Sequence, residues 1–511
     1  MSGGAVKFSP LELDSDFELD SPPRPPPTTA PPSRRDRVRL LTASRRSPQR
    51  RSVGAVCGIL VVFLLVVLAV TIAVRSVAGG GGGSGPSNVP SERWDNSHLA
   101  PPPPPTSNLL SIAFGSCSSS AFPSLPYFDV ISSLSPSLLL LLGDNVYGDC
   151  EPTKHDPIWN VPPPDGGFDR PLPPEYDTCR PLVHAYDSLS AHPSFLGFTT
   201  VPVYTVLDDH DSGVGDSSSA NPHKDVTKSM MLDFFQVPAG DERRGREGLY
   251  FSRRFGDVEV VMLDVRTFST PRVLKDDDDD DDDDDDKTNG KYKVDPRPTS
   301  TFLGPDQWDW LTEIHLGSLA IASPPRVRVI ASGIMFFGDG LGWEHWGLMP
   351  HERSRLLSLT NNSSPGNPTF TILLSGDRHV GGIYNYTHTT TTTTTTTATS
   401  SSSTTTTTTA LEVLASSLTH TTPYGAFGGG CTDARTCDEG SEWRVGDLVR
   451  ENHFGWLEFE REGGEGGKGG KGGRIVGVRA GLRRVGEDTS RVGYDRIESG
   501  MWLKNITVEL P

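Results

Sequence analysis

The chain has 511 residues, a formal net charge of −18 and a hydrophobic fraction of 35%. Eleven of the negatives fall in one run, Asp276–Asp286, and without that run the net charge is an ordinary −7. No basic belt interleaved with aromatics marks a nucleic-acid surface, so a polynucleotide partner has little support while nucleotide-sized substrates stay open.

Residues 1–52 are polar and read as a disordered cytosolic tail. Residues 53–74, "VGAVCGILVVFLLVVLAVTIAV", carry no charge over 22 positions, long enough at helical rise to cross a bilayer. A cleavable signal peptide is the competing reading, but about fifty residues precede the run and no clear small-residue cleavage motif follows it. Arg34, Arg35, Arg37, Arg39, Arg45, Arg46, Arg50 and Arg51 precede this span and Arg75 alone follows closely. The positive-inside tendency therefore places the N-terminus in the cytosol and the remainder outside the cell or in a secretory lumen. The Gly/Pro-rich stretch 75–107 reads as a linker. Sequons at Asn361, Asn362, Asn385 and Asn505 fit a glycosylated domain on that side, though such triplets are individually weak signals.

The ordered domain is expected over 108–511, with strands and helices alternating. "LLLLLGDNVYGD", Leu138–Asp149, joins a pure leucine run to an acid and a phenol. A short apolar run bounded by glycine and polar residues reads as a strand buried on both faces, and such strands deliver functional groups at their carboxyl ends. "SIAFGSC" ends at Cys117, "VYTVLDDHD" at Asp208–Asp211, "VEVVMLDVR" at Asp264 and Arg266, and "FTILLSGDRH" at Asp377, Arg378 and His379. Five such endings predict one site along one sheet edge. Helix-like spacing appears in "RPLVHAYDSLSAHPSFLGF", "KSMMLDFFQV", "GPDQWDWLTEIHLGSL" and "HERSRLLSL", and an antiparallel hairpin is expected between "GWLEFERE" and "RIVGVRAGLRRV".

Low-complexity insertions at 275–287 and 387–409 are assigned to surface loops. Loose calcium binding by the aspartates and O-linked sugars on the Thr/Ser tract are their functional readings; repeat expansion in a solvated loop is the bland one. Two cysteine pairs, 150 with 179 and 431 with 437, flank short excursions and are expected as disulfides in an oxidising compartment, with free surface thiols the alternative.

A thiolate suits iron or zinc, a phenolate favours ferric iron, and carboxylates suit calcium, magnesium or manganese, so the strand-end residues imply two unlike metals. Two adjacent metals serve phosphate-ester hydrolysis, with a histidine protonating the leaving group. Each residue also has a structural reading: Cys117 as a core cysteine, Tyr147 as a packed ring, Asp264 and Arg266 as an ion pair. His345 and His351, set among tryptophans in "WEHWGLMPHER", suggest packing or a substrate wall rather than ligands.

In order, "FGSC", "LGDNVY", "LDDHD", "LDVRTF", "GPDQWDWL", "EHWGLMPHERSRLL", "LSGDRH" and "ASSLTH" resemble the PhoD-like phosphatases, the alkaline phosphatase D family of calcineurin-like metallophosphoesterases. The resemblance, over about 109–460, implies a mixed α/β fold: a β-sandwich flanked by helices, hydrolysing phosphomonoesters or phosphodiesters at a dinuclear centre, iron plus calcium in bacterial relatives. By motif it makes Cys117 and Tyr147 ligands of the iron-type metal, Asp144 the bridging carboxylate, Asp209 a ligand of the second metal, and Asp377 with His379 the final ligand pair. His210 would face the leaving group with Asp211 orienting it, and Arg266 would grip substrate phosphate. The family's Tyr-Gly-x-Asn-Asp after the DDHD motif is absent: Ser212 stands at the tyrosine and Gly215 at the asparagine, leaving Asp216 as the possible substitute ligand. The expected protein is a membrane-anchored metal-dependent phosphatase or phosphodiesterase acting on small phosphate esters. The alternative is a catalytically weakened ectodomain that binds calcium or a protein partner.

Overall fold

The computed structural model describes residues 93–150, 174–275, 291–320, 324–338, 343–361, 369–397, 400–422, 441–462, 473–486 and 500–510. The expected tail, the membrane helix 53–74, most of the aspartate insertion and the Cys431–Cys437 pair lie outside them. Among the described residues no helix is long and apolar enough to cross a membrane.

Two six-stranded sheets face each other. The first runs β14 (Trp502–Glu509), β13 (Ile475–Arg484), β12 (His453–Arg461), β1 (Ser111–Gly115), β2 (Leu138–Leu141) and β3 (Val203–Thr205). The second runs β10 (Gly381–Thr397), β11 (Ser400–Ala415), β9 (Phe370–Ser375), β8 (Val327–Ala331), β5 (Val258–Met262) and β4 (Phe251–Phe255). A small hairpin pairs β6 (Val273–Leu274) with β7 (Tyr292–Lys293). The three strands β1, β2 and β3 are parallel neighbours that form one side of the first sheet, the other side being antiparallel, while β5, β8, β9 and β11 form a parallel centre with antiparallel flanks in the second.

Side-chain alternation explains why these strands read as continuous apolar runs. Leu138 and Leu140 join Ile112, Phe114, Val260, Val329 and Ile372 in the core between the sheets. Leu139 and Leu141 turn the other way, packing under Tyr127, Phe128, Leu182 and Tyr186 from the helices Pro126–Leu134 and Arg180–Ala191. On the far side of the second sheet, Val261, Ile330 and Leu373 pack against Trp308, Leu311 and Leu356 from the helices Gly304–Ala320 and Pro350–Asn361. The result is a helix–sheet–sheet–helix sandwich in which central strands have no wet face.

Three expectations are corrected. The strand ends do not share one sheet edge: β1, β2 and β3 belong to one sheet and β5 and β9 to the other, because runs buried on both faces carry no mark of which sheet they join. The Thr/Ser tract is no loop but the distal part of the β10–β11 ribbon, paired from Gly381↔Ala415 to Thr397↔Ser400, consistent with the strand preference of β-branched threonine. The linker expected to reach residue 107 is already packed at its end: Trp94 is buried, and its indole N–H and the Arg93 guanidinium both bond Asp187 on the helix Arg180–Ala191, at 2.8 and 2.5 Å. A large indole held by a buried carboxylate docks where a Gly/Pro tether would not. The Cys150–Cys179 disulfide is present.

Candidate metal centre

The parallel strands of both sheets point their carboxyl ends at one cleft. β1 leads into Cys117, β2 into Gly143 and Asp144, β3 into Asp208 and Asp209, and β9 into Asp377 and His379. Each exit is a tight turn. Cys117, Asp144, Asp216, Asp377 and His379 all have positive φ, between 48° and 75°, in the left-handed region that non-glycine residues seldom occupy. Such strain persists where surrounding packing over-determines it, and it gathers at functional sites. Gly143, at φ 99°, makes the β2 exit possible, because a Cβ there would stand 2.3 Å from that of Asp208.

On one side of the cleft sit a thiol, a phenol and imidazoles. Tyr147 Oη donates to Asp144 Oδ2 at 3.1 Å, and Cys117 Sγ lies 3.6 Å from the same oxygen. His379 Nε2 is 3.1 Å from Tyr147 Oη, and His420 Nε2 is 3.3 Å from both. On the other side carboxylates crowd together. The sets Asp144–Asp209–His210, Asp208–Asp209–Asp377 and Asp209–Asp216–Glu344 each bring ligand atoms within 4.8 Å of one another, as does Cys117–Asp144–His379. Between them opens a cavity of about 140 Å³, which Trp343 and Arg378 also line.

The electrostatics of this cluster are those of a cation site. Burial, then repulsion from Asp209, pushes the Asp144 carboxyl well above the usual range; burial and neighbouring acids including Asp208 and Glu344 do the same to Asp377. Glu344 is pushed up to about 7 by burial despite Arg266 and Arg272. Burial also raises Asp209, but His210, Arg266 and the Asp216 N–H outweigh it and hold that carboxyl low. Asp208 Oδ2 is buried with no hydrogen-bond partner among the described residues. A thiol, a phenol and imidazoles on one side and crowded carboxylates on the other fit two unlike metal ions.

The family model of PhoD-like phosphatases matches residues 112–463, the span that supplies every residue of this cleft. The chain belongs to the PhoD-like phosphatase family. Membership supports phosphoric ester hydrolysis as its chemistry. A solved structure described as "Structure of PhoD" aligns with a TM-score of 0.45 and 14% identity, covering 78% of this chain and 74% of that one. A search of curated proteins found no match.

The structure brings together the six ligands expected from the PhoD-like motifs: Cys117, Asp144, Tyr147, Asp209, Asp377 and His379. Asp216 joins them, its N–H donating to Asp209 Oδ2 at 2.7 Å, while Gly215 faces open space. Two expected roles are not met. Asp211 does not touch the His210 ring; its carboxylate accepts from the Asn145 N–H and amide, at 2.9 and 3.0 Å, and from the Asp208 N–H at 3.1 Å, bracing the β2 exit against the β3 exit. The His210 partner is Asp149, whose Oδ1 lies 3.0 Å from Nδ1. Arg266 is not on the substrate side. It is 1% exposed, with Nε 2.5 Å from Asp208 Oδ1 and Nη1 2.7 Å from Glu344 Oε2, so it is the counter-ion beneath the carboxylates. The arginine that lines the cavity is Arg378.

Sequence reasoning does not assign Asp149, Glu344, Arg378 or His420, although "EHWGLMPHERSRLL", "LSGDRH" and "ASSLTH" mark three of them. Asp149 is fixed by its neighbour: the Cys150 N–H donates to Gly213 O at 2.7 Å, and the Cys150–Cys179 disulfide closes against Gly213, where a Cβ would collide with Cys150 Sγ. For His210, burial disfavours the charged ring, but Asp209, Asp149 and Asp144 outweigh it and hold it well above the usual histidine range. Asp149→Ala is therefore expected to lower kcat about tenfold to a hundredfold, at or below the low end of the roughly 10²–10⁴-fold that general-acid groups contribute, with metal content unchanged. Steady-state kinetics beside elemental analysis checks this; an unchanged kcat would leave Asp149 without a role.

Proposed function

We propose that this chain is a metal-dependent phosphoesterase of small phosphate esters, with its catalytic domain held outside the cell or in a secretory lumen by the apolar span 53–74. The observation that carries the catalytic part is the convergence of Cys117, Tyr147 and His379 with buried Asp209 and half-buried Asp377 on opposite sides of Asp144. Cys117, Tyr147, His379 and Asp144 would hold an iron-type ion, and Asp144, Asp209, Asp377, Asp216 and Glu344 a harder ion such as calcium. Bound there, the two ions supply an activated water and neutralise charge on the phosphoryl oxygens.

The chain's own groups do the rest. Arg378, on the cavity wall beside Trp343, meets a phosphate with a planar fork of donors. His210, its Nδ1 anchored by Asp149, presents its other ring edge to the cleft and gives a proton to the departing alkoxide. Arg266 and Asp211, buried below, hold the strand exits at fixed spacing so that neither group must reorganise during reaction. The disulfide supports an oxidising compartment, and Asn385 and Asn505 are exposed. The test is Asp144→Ala: turnover of an aryl phosphate ester falls to background and metal content drops while the circular dichroism spectrum is retained. Unchanged turnover would sink the bridging assignment.

One observation favours a weaker enzyme. Asp216, the substitute for the missing asparagine, is engaged by Lys291 through an ion pair and by the Tyr292 hydroxyl at 2.8 Å. A lysine on a ligand competes with a metal for it. Gly215→Asn, whose Cβ would meet nothing within 4 Å among the described residues, is expected to tighten the harder metal and raise turnover at limiting calcium. Equal calcium dependence in both proteins would show that Asp216 already completes the site.

A further inference from the structure

His420 lies on the loop after β11, outside the six motif ligands, and that loop is stitched to the Cys117 turn. The Leu418 N–H donates to Ser116 O at 3.2 Å and the Thr419 N–H to Cys117 O at 3.3 Å. Phe122 stacks on the His420 ring, 6.1 Å between centroids and 11° between planes, which fixes the ring's tilt.

The Thr419 hydroxyl then sets the tautomer. Its single proton goes to Cys117 O at 3.1 Å, and its oxygen accepts the Ser119 N–H at 2.9 Å. With that proton on Cys117 O, the remaining contact, 3.0 Å to His420 Nδ1, has the imidazole as donor. The Nδ1 proton leaves a lone pair on Nε2, and Nε2 faces Tyr147 Oη and His379 Nε2, 3.3 Å from each. The Tyr147 proton is directed at Asp144 Oδ2. An imidazole whose Nδ1–H is anchored on a neighbouring oxygen while Nε2 turns inward is the arrangement of a metal-bound histidine.

The spacing agrees. Tyr147 Oη, His379 Nε2 and His420 Nε2 form a triangle with sides of 3.1, 3.3 and 3.3 Å. Donors at about 2.0–2.1 Å from one ion stand about 2.9–3.4 Å apart in octahedral or tetrahedral arrangements. We propose that His420 is a further ligand of the iron-type ion, closing one face of its coordination sphere with Tyr147 and His379, and that Thr419 is its positioning residue. This rests on the metal-dependent reading above and makes that side of the centre richer in nitrogen than the motif ligands alone provide.

The experiment loads the full-length protein with ferric iron and follows the tyrosinate-to-iron absorption band and iron retention during dialysis against a chelator. His420→Ala is expected to shift the band and to shorten retention at least about tenfold, the lower end of what losing even an outer-shell partner costs. Thr419→Val, which removes the Nδ1 acceptor, is expected to give a smaller change in the same direction. His420→Gln, closer in size, serves as the second variant, with circular dichroism reporting its fold, and is expected to shift the band as well. A wild-type band and retention in a folded His420 variant would overturn this assignment alone. A wild-type chain that takes up no iron would overturn the metal reading on which it rests.

Discussion

Six carboxylates, Asp144, Asp208, Asp209, Asp216, Asp377 and Glu344, are gathered where the ends of two sheets meet, and all but partly exposed Asp216 and Asp377 are buried. Two like charges about 4 Å apart repel by roughly 4 kcal/mol at an effective dielectric of about 20, so the cluster persists as anions only beside cations. Arg266 answers part of that need from below, reaching Asp208, Asp209, Glu344 and Asp377. Its own charge is secured by the same neighbours: burial disfavours it, but Asp208 and Glu344 more than offset this and push its pKa well up. Arg272 pairs with Glu344 and Lys291 with Asp216, and the proposed metal ions would answer the rest from the cleft side. On the proposed reading, metal binding and folding of the site would be two aspects of one charge balance.

The sandwich is what makes so unfavourable a gathering stable. Central strands packed on both faces cannot shift without opening two apolar interfaces, so their exits are fixed in space. Left-handed turns at Asp144, Asp377 and His379 convert strand ends into side chains converging on a volume of about 140 Å³, with Cys117 at its own left-handed turn beside Asp144. Bracing bonds then join exit to exit: Asp211 ties β2 to β3, and the loop after β11 is tied to the Cys117 turn. Rigidity of this kind is what preorganised catalysis asks of a scaffold.

Much of this is legible in the amino-acid sequence. The leucine run ending in Gly143 and Asp144 announces a doubly buried strand with a functional exit, and the expected ligands that follow such runs, Cys117, Asp144, Asp209 and Asp377, come together for that reason. Other features depend on information the chain does not carry locally. A run buried on both faces has no polar side to reveal its partner, so five strands from two sheets look like one sheet edge. The resemblance of the DDHD motif pairs Asp211 with His210, whereas the ring turns toward Asp149, brought near by the Cys150 link. Arg266 has the sequence position of a substrate-facing cation, but burial beneath the acids makes it a counter-ion. Glu344, Asp149 and His420 come from irregular segments, where periodicity says nothing.

The most direct test of the central claim is elemental analysis of the purified full-length protein, made alongside turnover of an aryl phosphomonoester and an aryl phosphodiester before and after chelation. The account predicts two metal ions per chain, loss of turnover on their removal and its return when both are restored. Full turnover by the metal-free protein would contradict it.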